Sequence, residues 1–387
     1  MEKGSNHQKC FTFIKNELRG IFKNKILLSY TCILLILVIF IGLVYQKGVL
    51  GQMELLLVDL DQTSTSRLVT RYLTENEKFK VVFSDNEQEV IKAVEKSEVI
   101  AGLVIPDGFE AAVKEKKGGE ILLLIDGTNY IAANSIYAKA NEILLSINGG
   151  IALQSLTGAG FLPDEAGDLV QPTHLTQNIL FNPHYNYSYY LTYGICGAGI
   201  FSLAMSAVAL SLSKSKVESP PWKSLGAKIL VYCLYFSLVL TLLFVFAQIV
   251  FDLPARGSIL PFYFLALEVS LLITILGMML SAIAGDKEER IFQLGVFFAT
   301  TLFFTTGYSW PLQSLPEIMK PVYYLNPLTP FLNGVRACFV IGAESRVLEN
   351  YILWQLALCL FYALPGLGLY HWRYRKGKMG AEAIRNH

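Results

Sequence analysis

The chain has 387 residues, of which 53% are hydrophobic and 16% charged, with a net charge of +1 and a mean hydropathy of +0.44. A soluble domain of that length would carry roughly a quarter charged residues, so the composition excludes an ordinary soluble enzyme and makes a membrane the first expectation. No nucleic-acid partner is expected.

Residues 1–25 form a basic arm. Phe11, Ile14, Leu18, Ile21 and Phe22 fall on one helical face, and Lys15, Arg19 and Lys23 on another. This pattern predicts an amphipathic helix in the membrane interface, able also to receive a cytosolic motor subunit. Residues 26–46 supply the first run of the roughly 20 apolar residues that a bilayer core requires. The run is too long for a cleaved leader and lacks a small-residue cleavage site behind it, so it predicts an uncleaved signal anchor.

Residues 47–188 are mostly water-soluble and alternate strand and helix signals. Strands are predicted at 54–59, 79–83, 99–105 and 121–125, and helices at 64–74, 87–96 and 109–116. Such alternation predicts an α/β domain with a mostly parallel or mixed sheet. Ile136, Ala140, Ile143, Ile147 and Ile151 continue at helical spacing, predicting a helix of about 20 to 28 residues. Tyr185, Tyr187, Tyr189 and Tyr190 then form an interfacial aromatic belt. His174 and His184, ten residues apart, read as ordinary loop residues, so no metal site is expected.

Five more membrane-length segments follow at 189–212, 225–251, 262–284, 291–310 and 351–370, with a loop at 213–224, a proline-rich stretch at 311–349 and a tail at 371–387. The fold class is therefore a polytopic α-helical membrane protein with six transmembrane helices and an extracytoplasmic α/β domain inserted between the first and second. Lys and Arg gather in the arm, in the 213–224 loop and in the tail. The positive-inside rule assigns these segments and both termini to the cytosol, and the domain to the outside of the plasma membrane. Cys32, Cys196, Cys233 and Cys359 lie inside spans, Cys10 in the arm and Cys338 near the outer face, so no disulfide framework is expected. Glu268, about two turns from the outer end of the fourth span, is a functional-site candidate because a membrane carboxylate is costly.

No GxxxxGK[ST], HExxH or GxSxG motif occurs. No catalytic residue or bound cofactor is expected in this chain, and any ATP would be used by a separate polypeptide.

Residues 303–343 (FFTTGYSWPLQSLPEIMKPVYYLNPLTPFLNGVRACFVIGA) resemble the ABC exporter permeases of the type-2 class. There a span ends in a pattern like SGYxFPxxxMP and is followed by a PLTxxxxGxR segment and a terminal Gly-Ala. Gly307, Tyr308, Pro311, Pro316, Asn326, Pro327, Leu328, Thr329, Gly334, Arg336, Gly342 and Ala343 occupy the corresponding places. The repeated prolines make 311–349 a re-entrant or interfacial segment, since irregular backbone at membrane depth must be covered by protein or line a cavity. The external domain is similar to that of the subfamily with a large insertion after the first span.

The resemblance implies the permease subunit of an ABC exporter for an apolar or amphipathic substrate. A cytosolic ATP-binding subunit and a second permease, identical or paralogous, would be its partners, beside membrane lipid and with room for a periplasmic adaptor. Coupling to the ATPase would fall to Phe11, Ile14 and Leu18 of the arm and to Glu218 and Trp222 of the loop. Glu268, Tyr308 and Asn326 would face the substrate path. One departure stands: the ExExGTxExL-type segment between the second and third spans reads SKSKVESPPWKSL at 213–225. Pro220 and Pro221 shorten any coupling helix there; either coupling is altered and a less divergent sister permease carries it, or the loop has drifted and still docks. A membrane-anchored receptor or envelope-assembly protein is the alternative class, and an intramembrane enzyme a third.

Overall fold

The computed structural model describes residues 14–47, 51–115, 117–170, 180–182, 186–213, 221–285 and 287–385. The chain divides into two compact units, 49–179 and the combination of 1–48 with 180–387.

The unit at 49–179 is built on four strands, β1 (Met53–Asp59), β2 (Phe79–Phe83), β3 (Ala101–Ile105) and β4 (Leu122–Ile125), in the order β2-β1-β3-β4. β1 pairs in parallel with β2 and β3, and β4 closes the edge antiparallel to β3, with Ala101 opposite Ile125. Central strands of this kind must be apolar on both faces, and β1 obeys: Leu55 and Leu57 point to one side and Leu56 and Val58 to the other. The first side is covered by α3 (Ser64–Thr74), α5 (Phe109–Lys114) and α6 (Tyr130–Gly158) through Val69, Leu73, Phe109, Ile136, Ala140, Ile143 and Ile147. The second is covered by α4 (Glu87–Glu95) through Val90 and Ala93. The layer is thus α/β/α with a mixed sheet. At 29 residues, or about 43 Å, α6 slightly exceeds the expected length and outruns the sheet it covers. A further helix, α7 (Pro163–Val170), follows it.

The other unit is a helix bundle. A short arm helix α1 (residues 14–23) precedes α2 (Lys25–Tyr45); then come α8 (Tyr187–Ser213), α9 (Pro221–Phe251), α10 (Ile259–Ala284), α11 (Glu288–Phe304) and α14 (Ser345–Arg385). Among the described residues, α2, α8, 225–251 of α9, α10 and 345–373 of α14 are long and apolar enough to cross a membrane. The segment expected at 291–310 is different: its helix stops at Phe304 after 17 residues, and the chain leaves helical geometry at Gly307, which has φ +71°. Of the six expected spans, five are thus helices of membrane-crossing length among the described residues, and the fifth in chain order, α11, is a shorter helix.

Helix α8 is the centre of the bundle, packed by α2, α10 and α11 and buried along nearly its whole length. Small residues allow such close approach where lipid supplies no hydrophobic drive. A Cβ on Gly197 would fall 2.5 Å from Leu332, and one on Gly277 of α10 would fall 2.7 Å from Val208. Between α11 and α14 the proline-rich stretch folds as two 3-10 turns, then α12 (Lys320–Leu325), α13 (Leu328–Val335) and a π-turn, Arg336–Ile341. Every residue of α13 is buried.

Candidate functional site

A polar tie joins the arm to the bundle at Asn24, beside the apolar contacts of Ile21 and Ile14. Asn24 sits directly before α2, and its Oδ1 accepts from the backbone N–H groups of Ile26 at 3.0 Å and Leu27 at 3.5 Å, a helix N-cap. Its Nδ2 donates to Ser211 Oγ at 2.6 Å, and Ser211 in turn shares a 2.6 Å hydrogen bond with the Tyr232 hydroxyl. Ser211 and Tyr232 are buried and belong to α8 and α9, the helices on either side of residues 214–220 in the chain. A second tie runs from Thr31 of α2 to Tyr235 of α9 at 2.7 Å. Along α1, Ile21 is buried, while Leu18 and Phe22, four residues apart, are exposed beside the exposed Lys15, Arg19 and Lys23. Ile14 packs partly against the bundle. Phe11 and Glu218 lie outside the described residues; Trp222 belongs to the first turn of α9, which Pro221 opens, the one helical position where a missing N–H costs nothing. The Asn24–Ser211–Tyr232 chain was not anticipated, although a capping Asn just before an apolar run was a visible signal.

The motif residues gather where α11 ends and α14 begins. Tyr308 is 2% exposed; its hydroxyl donates to the Tyr190 carbonyl at 2.6 Å, the Tyr190 hydroxyl donates back to the Tyr308 carbonyl, and the two rings stack at 5.4 Å. Asn326 is 1% exposed. Its Nδ2 donates to Leu302 O at 2.8 Å and to Thr305 Oγ1 at 3.0 Å, while its Oδ1 accepts from Leu328 N at 2.9 Å. Pro311 and Pro316 each begin a 3-10 turn, and the Pro327 carbonyl accepts from Gln355 Nε2 at 3.1 Å. Gly307 and Gly334 stand where a Cβ would meet Tyr323 at 2.8 Å and Leu265 at 2.7 Å. Arg336 places its guanidinium 5.5 Å from the centre of the Tyr308 ring. The structure thus brings Tyr308, Asn326, Gly307, Gly334 and Arg336 into one region and ties it to α8 through Tyr190, which the sequence presents only as part of an aromatic belt.

Glu268 stands apart, on α10 between α9 and α14. Cys233 Sγ of α9 donates to the Leu267 carbonyl and Cys359 Sγ of α14 to the Glu268 carbonyl, each at 3.3 Å. Carboxylate atom Oε2 is buried with no hydrogen-bond partner. A half-buried acid without a partner is able to receive a proton or a cation.

In the α/β unit, the crevice between the C-terminal ends of β1 and β3 is the place where such sheets commonly bind ligands. Here it is occupied by the chain's own groups. Asp59 accepts from Ser66 Oγ at 2.7 Å and Gln62 N at 2.9 Å; Asp61 accepts from Thr63 Oγ1 at 2.5 Å and Glu110 N at 3.0 Å. Glu110 accepts from Ser64 Oγ at 2.5 Å and Thr65 Oγ1 at 2.9 Å and pairs with Lys114 at 2.9 Å. The Ser64 hydrogen bond, reinforced by Lys114 and Thr65, holds the Glu110 carboxyl down at about 2. No group of three or more His, Cys, Asp or Glu able to hold a metal occurs among the described residues.

Residues 25–367 match the family model for ABC-2 family transporter proteins. The chain is 18% identical over 287 residues to the Probable multidrug ABC transporter permease YbhR of Escherichia coli strain K12, covering 71% of this chain and 74% of that protein. To the Probable multidrug ABC transporter permease YbhS of the same strain it is 22% identical over 320 residues, covering 78% and 81%. No solved structure matches it. With the bundle, the GY…P and PLTxxxxGxR segments and a match running from α2 into α14, the chain belongs to the ABC-2 family of transporter proteins.

Proposed function

We propose that the chain is the permease subunit of an ATP-driven exporter, moving an apolar or amphipathic substrate out of the cytoplasm or the inner membrane. Family membership makes it a membrane transporter subunit rather than a catalytic one and implies an ATP-binding partner. Export, substrate class, the inner membrane, cytosolic termini and a second permease are our reading. The observation that carries it is the Asn24–Ser211–Tyr232 chain, which joins the arm to the end of α8 and to the N-terminal half of α9, while Leu18 and Phe22 stay exposed. A force applied by an ATPase to the arm or to the 214–220 loop would reach α2, α8 and α9 together. ATP and substrate would then drive alternation by binding the two arrangements with different affinity. Glu268 is the path-facing group, while Tyr308 and Asn326 hold the break between α11 and α14 that frames the path.

The test is to purify the full chain from its native host in mild detergent and identify what accompanies it by mass spectrometry. An ATPase subunit in stoichiometric amount is expected, with or without a sister permease. A folded chain that brings only envelope proteins would overturn the proposal in favour of a receptor or assembly role.

A further inference from the structure

The C-terminal end of the parallel strands is filled by the chain's own side chains, but a cavity of about 260 Å³ lies at the opposite end of the same sheet. Its floor is apolar: Met53 at the start of β1 and Ala132 in the first turn of α6 are buried, and Val99 and Ile100 at the entry to β3 are half-buried. Its rim is polar, formed by Gln52, Glu54, Glu98 and Asn129. The volume equals that of about nine waters, far more than a bare ion fills. It also falls short of the roughly 300 to 1,000 Å³ of a drug-sized site.

The cavity exists because β1 starts before β3 does. β1 pairs with β2 from Met53 opposite Phe79 onward, but with β3 only from Leu55 opposite Ala101 onward. Successive residues of a strand turn their backbone groups to opposite neighbours. The Met53 N–H donates to Lys78 O at 2.9 Å on the β2 side, and the N–H of Leu60, just past the strand, donates to Ile105 O at 2.9 Å on the β3 side. Glu54, in step with Leu60, therefore points its N–H to the β3 side, where no ladder pair meets it. On the facing wall, Ile100 O accepts from Asp126 N at 2.9 Å on the β4 side, which turns the preceding Val99 carbonyl towards β1. A backbone donor and a backbone acceptor thus border the same space, and an extended peptide group answers both.

The rim favours one end of such a peptide. Its charged members are Glu54 and Glu98, with no Lys or Arg among the described wall residues. Glu54 is held by Lys80 at 2.6 Å, whereas Glu98 has only Lys96 at 3.8 Å, with both side chains exposed. An exposed pair at that distance contributes little, so Glu98 is the carboxylate left for an incoming ammonium. Asn129 spends its Oδ1 on the Ala132 N–H at 3.2 Å, and its Nδ2 is left to donate to a carbonyl.

We propose that this cavity binds the amino-terminal residues of an extended peptide. The ammonium meets Glu98, the first peptide group meets the Glu54 N–H and the Val99 carbonyl, and a small apolar first side chain lies on the floor. Strand addition and capture of a chain's amino end are both recurrent ways of holding peptides. The site lies wholly within the unit at 49–179, so the assignment is independent of the exporter reading.

The experiment is calorimetric titration of the full chain in mild detergent with the tripeptide amide Ala-Val-Ala-NH2, its N-acetylated form, and a folded carrier protein whose chain begins with the same tripeptide. Saturable binding of the free-amine tripeptide is expected, weakened at least about tenfold by acetylation, as for a lost hydrogen bond to a charged group. Glu98→Gln is expected to cost the same factor, and Glu95→Gln, which removes an equal charge outside the cavity, to cost nothing. Hydrogen exchange of the Glu54 amide is expected to slow when the tripeptide saturates the site. Binding of the carrier as well would assign the source to a partner's chain end, and binding of the tripeptide alone to a short free peptide; both support the chemistry. Equal affinity for the acetylated form, unchanged affinity in Glu98→Gln, no slowing at Glu54, or no binding of any probe would overturn the proposal.

Discussion

Replacing Asn24 by Ala separates the two functions of that side chain. The lost N-cap costs about 1 kcal/mol, and the lost donor to buried Ser211 at 2.6 Å costs about 1 kcal/mol more. The sum of about 2 kcal/mol lowers the folding constant roughly 30-fold. Ser211→Ala leaves the cap intact, removing the tether to Asn24 and the hydrogen bond to Tyr232. The double variant then loses the shared bond only once, so its cost falls short of the sum of the singles by about 1 kcal/mol. Equilibrium unfolding in mixed detergent micelles measures all three. Costs that add to within about 0.3 kcal/mol would refute the tether, because groups that do not touch add independently. If the tether also transmits force, both single variants retain ATPase binding while substrate transport falls; unchanged transport in both would remove the arm from the coupling route.

Gly307→Ala must hold a Cβ at φ +71° and 2.8 Å from the Tyr323 ring, so a loss of at least about 1 kcal/mol is expected, read as a lower melting temperature than that of Ala at Gly20, which meets no neighbour. Glu268→Gln removes a carboxylate whose Oε2 has no partner; stability is expected to stay level or rise, while efflux of a cationic amphiphile falls at least about tenfold, and undiminished efflux would exclude a path role. The Glu110 carboxyl, lowered from 4.5 to about 2 chiefly by the Ser64 hydrogen bond, favours the folded domain fully above its unfolded value. That contribution is lost as pH falls from about 4.5 towards 2. Amide exchange across residues 63–74, corrected for intrinsic rates, is expected to speed up in that window in the native chain and to show a smaller step in Glu110→Gln, where Asp59 and Asp61 still hold the start of α3.

Much of the fold was legible because its signals are local. The two-sided apolar run LLLV of β1 and the i, i+4 apolar positions of α6 required little tertiary context, and strands and helices stand close to the expected ranges. The antiparallel course of β4 was not legible, since pairing direction depends on which edge remains open after β1, β2 and β3 have assembled. The helix α11 ends at Phe304, short of the expected 291–310, because Gly307 at φ +71° turns the chain, a conformation that hydropathy does not register. The arm's amphipathic face was visible, whereas its attachment through Ser211 and Tyr232 joins positions 187 and 21 residues apart, beyond any periodicity argument.

The polar members of the family motif have a common physical cause in backbone satisfaction. Prolines and 3-10 turns between α11 and α14 strand carbonyls that no helix can pair, and at membrane depth each stranded group costs several kcal/mol. Side-chain donors meet them one by one. Asn326 donates to Leu302 O, Asn333 to Thr306 O at 2.8 Å, Gln355 to Pro327 O, Trp354 to Tyr324 O at 3.0 Å, Tyr362 to Leu325 O at 2.9 Å, and Tyr190 to Tyr308 O. Asn326 and Tyr308 are therefore spent within the chain, Asn326 on the end of α11 and Tyr308 on the Tyr190 carbonyl of α8. Glu268 Oε2 and the Arg336 guanidinium remain without such a backbone role. These two ionisable groups, one on α10 and one on the π-turn, take no part in satisfying the carbonyls of the break.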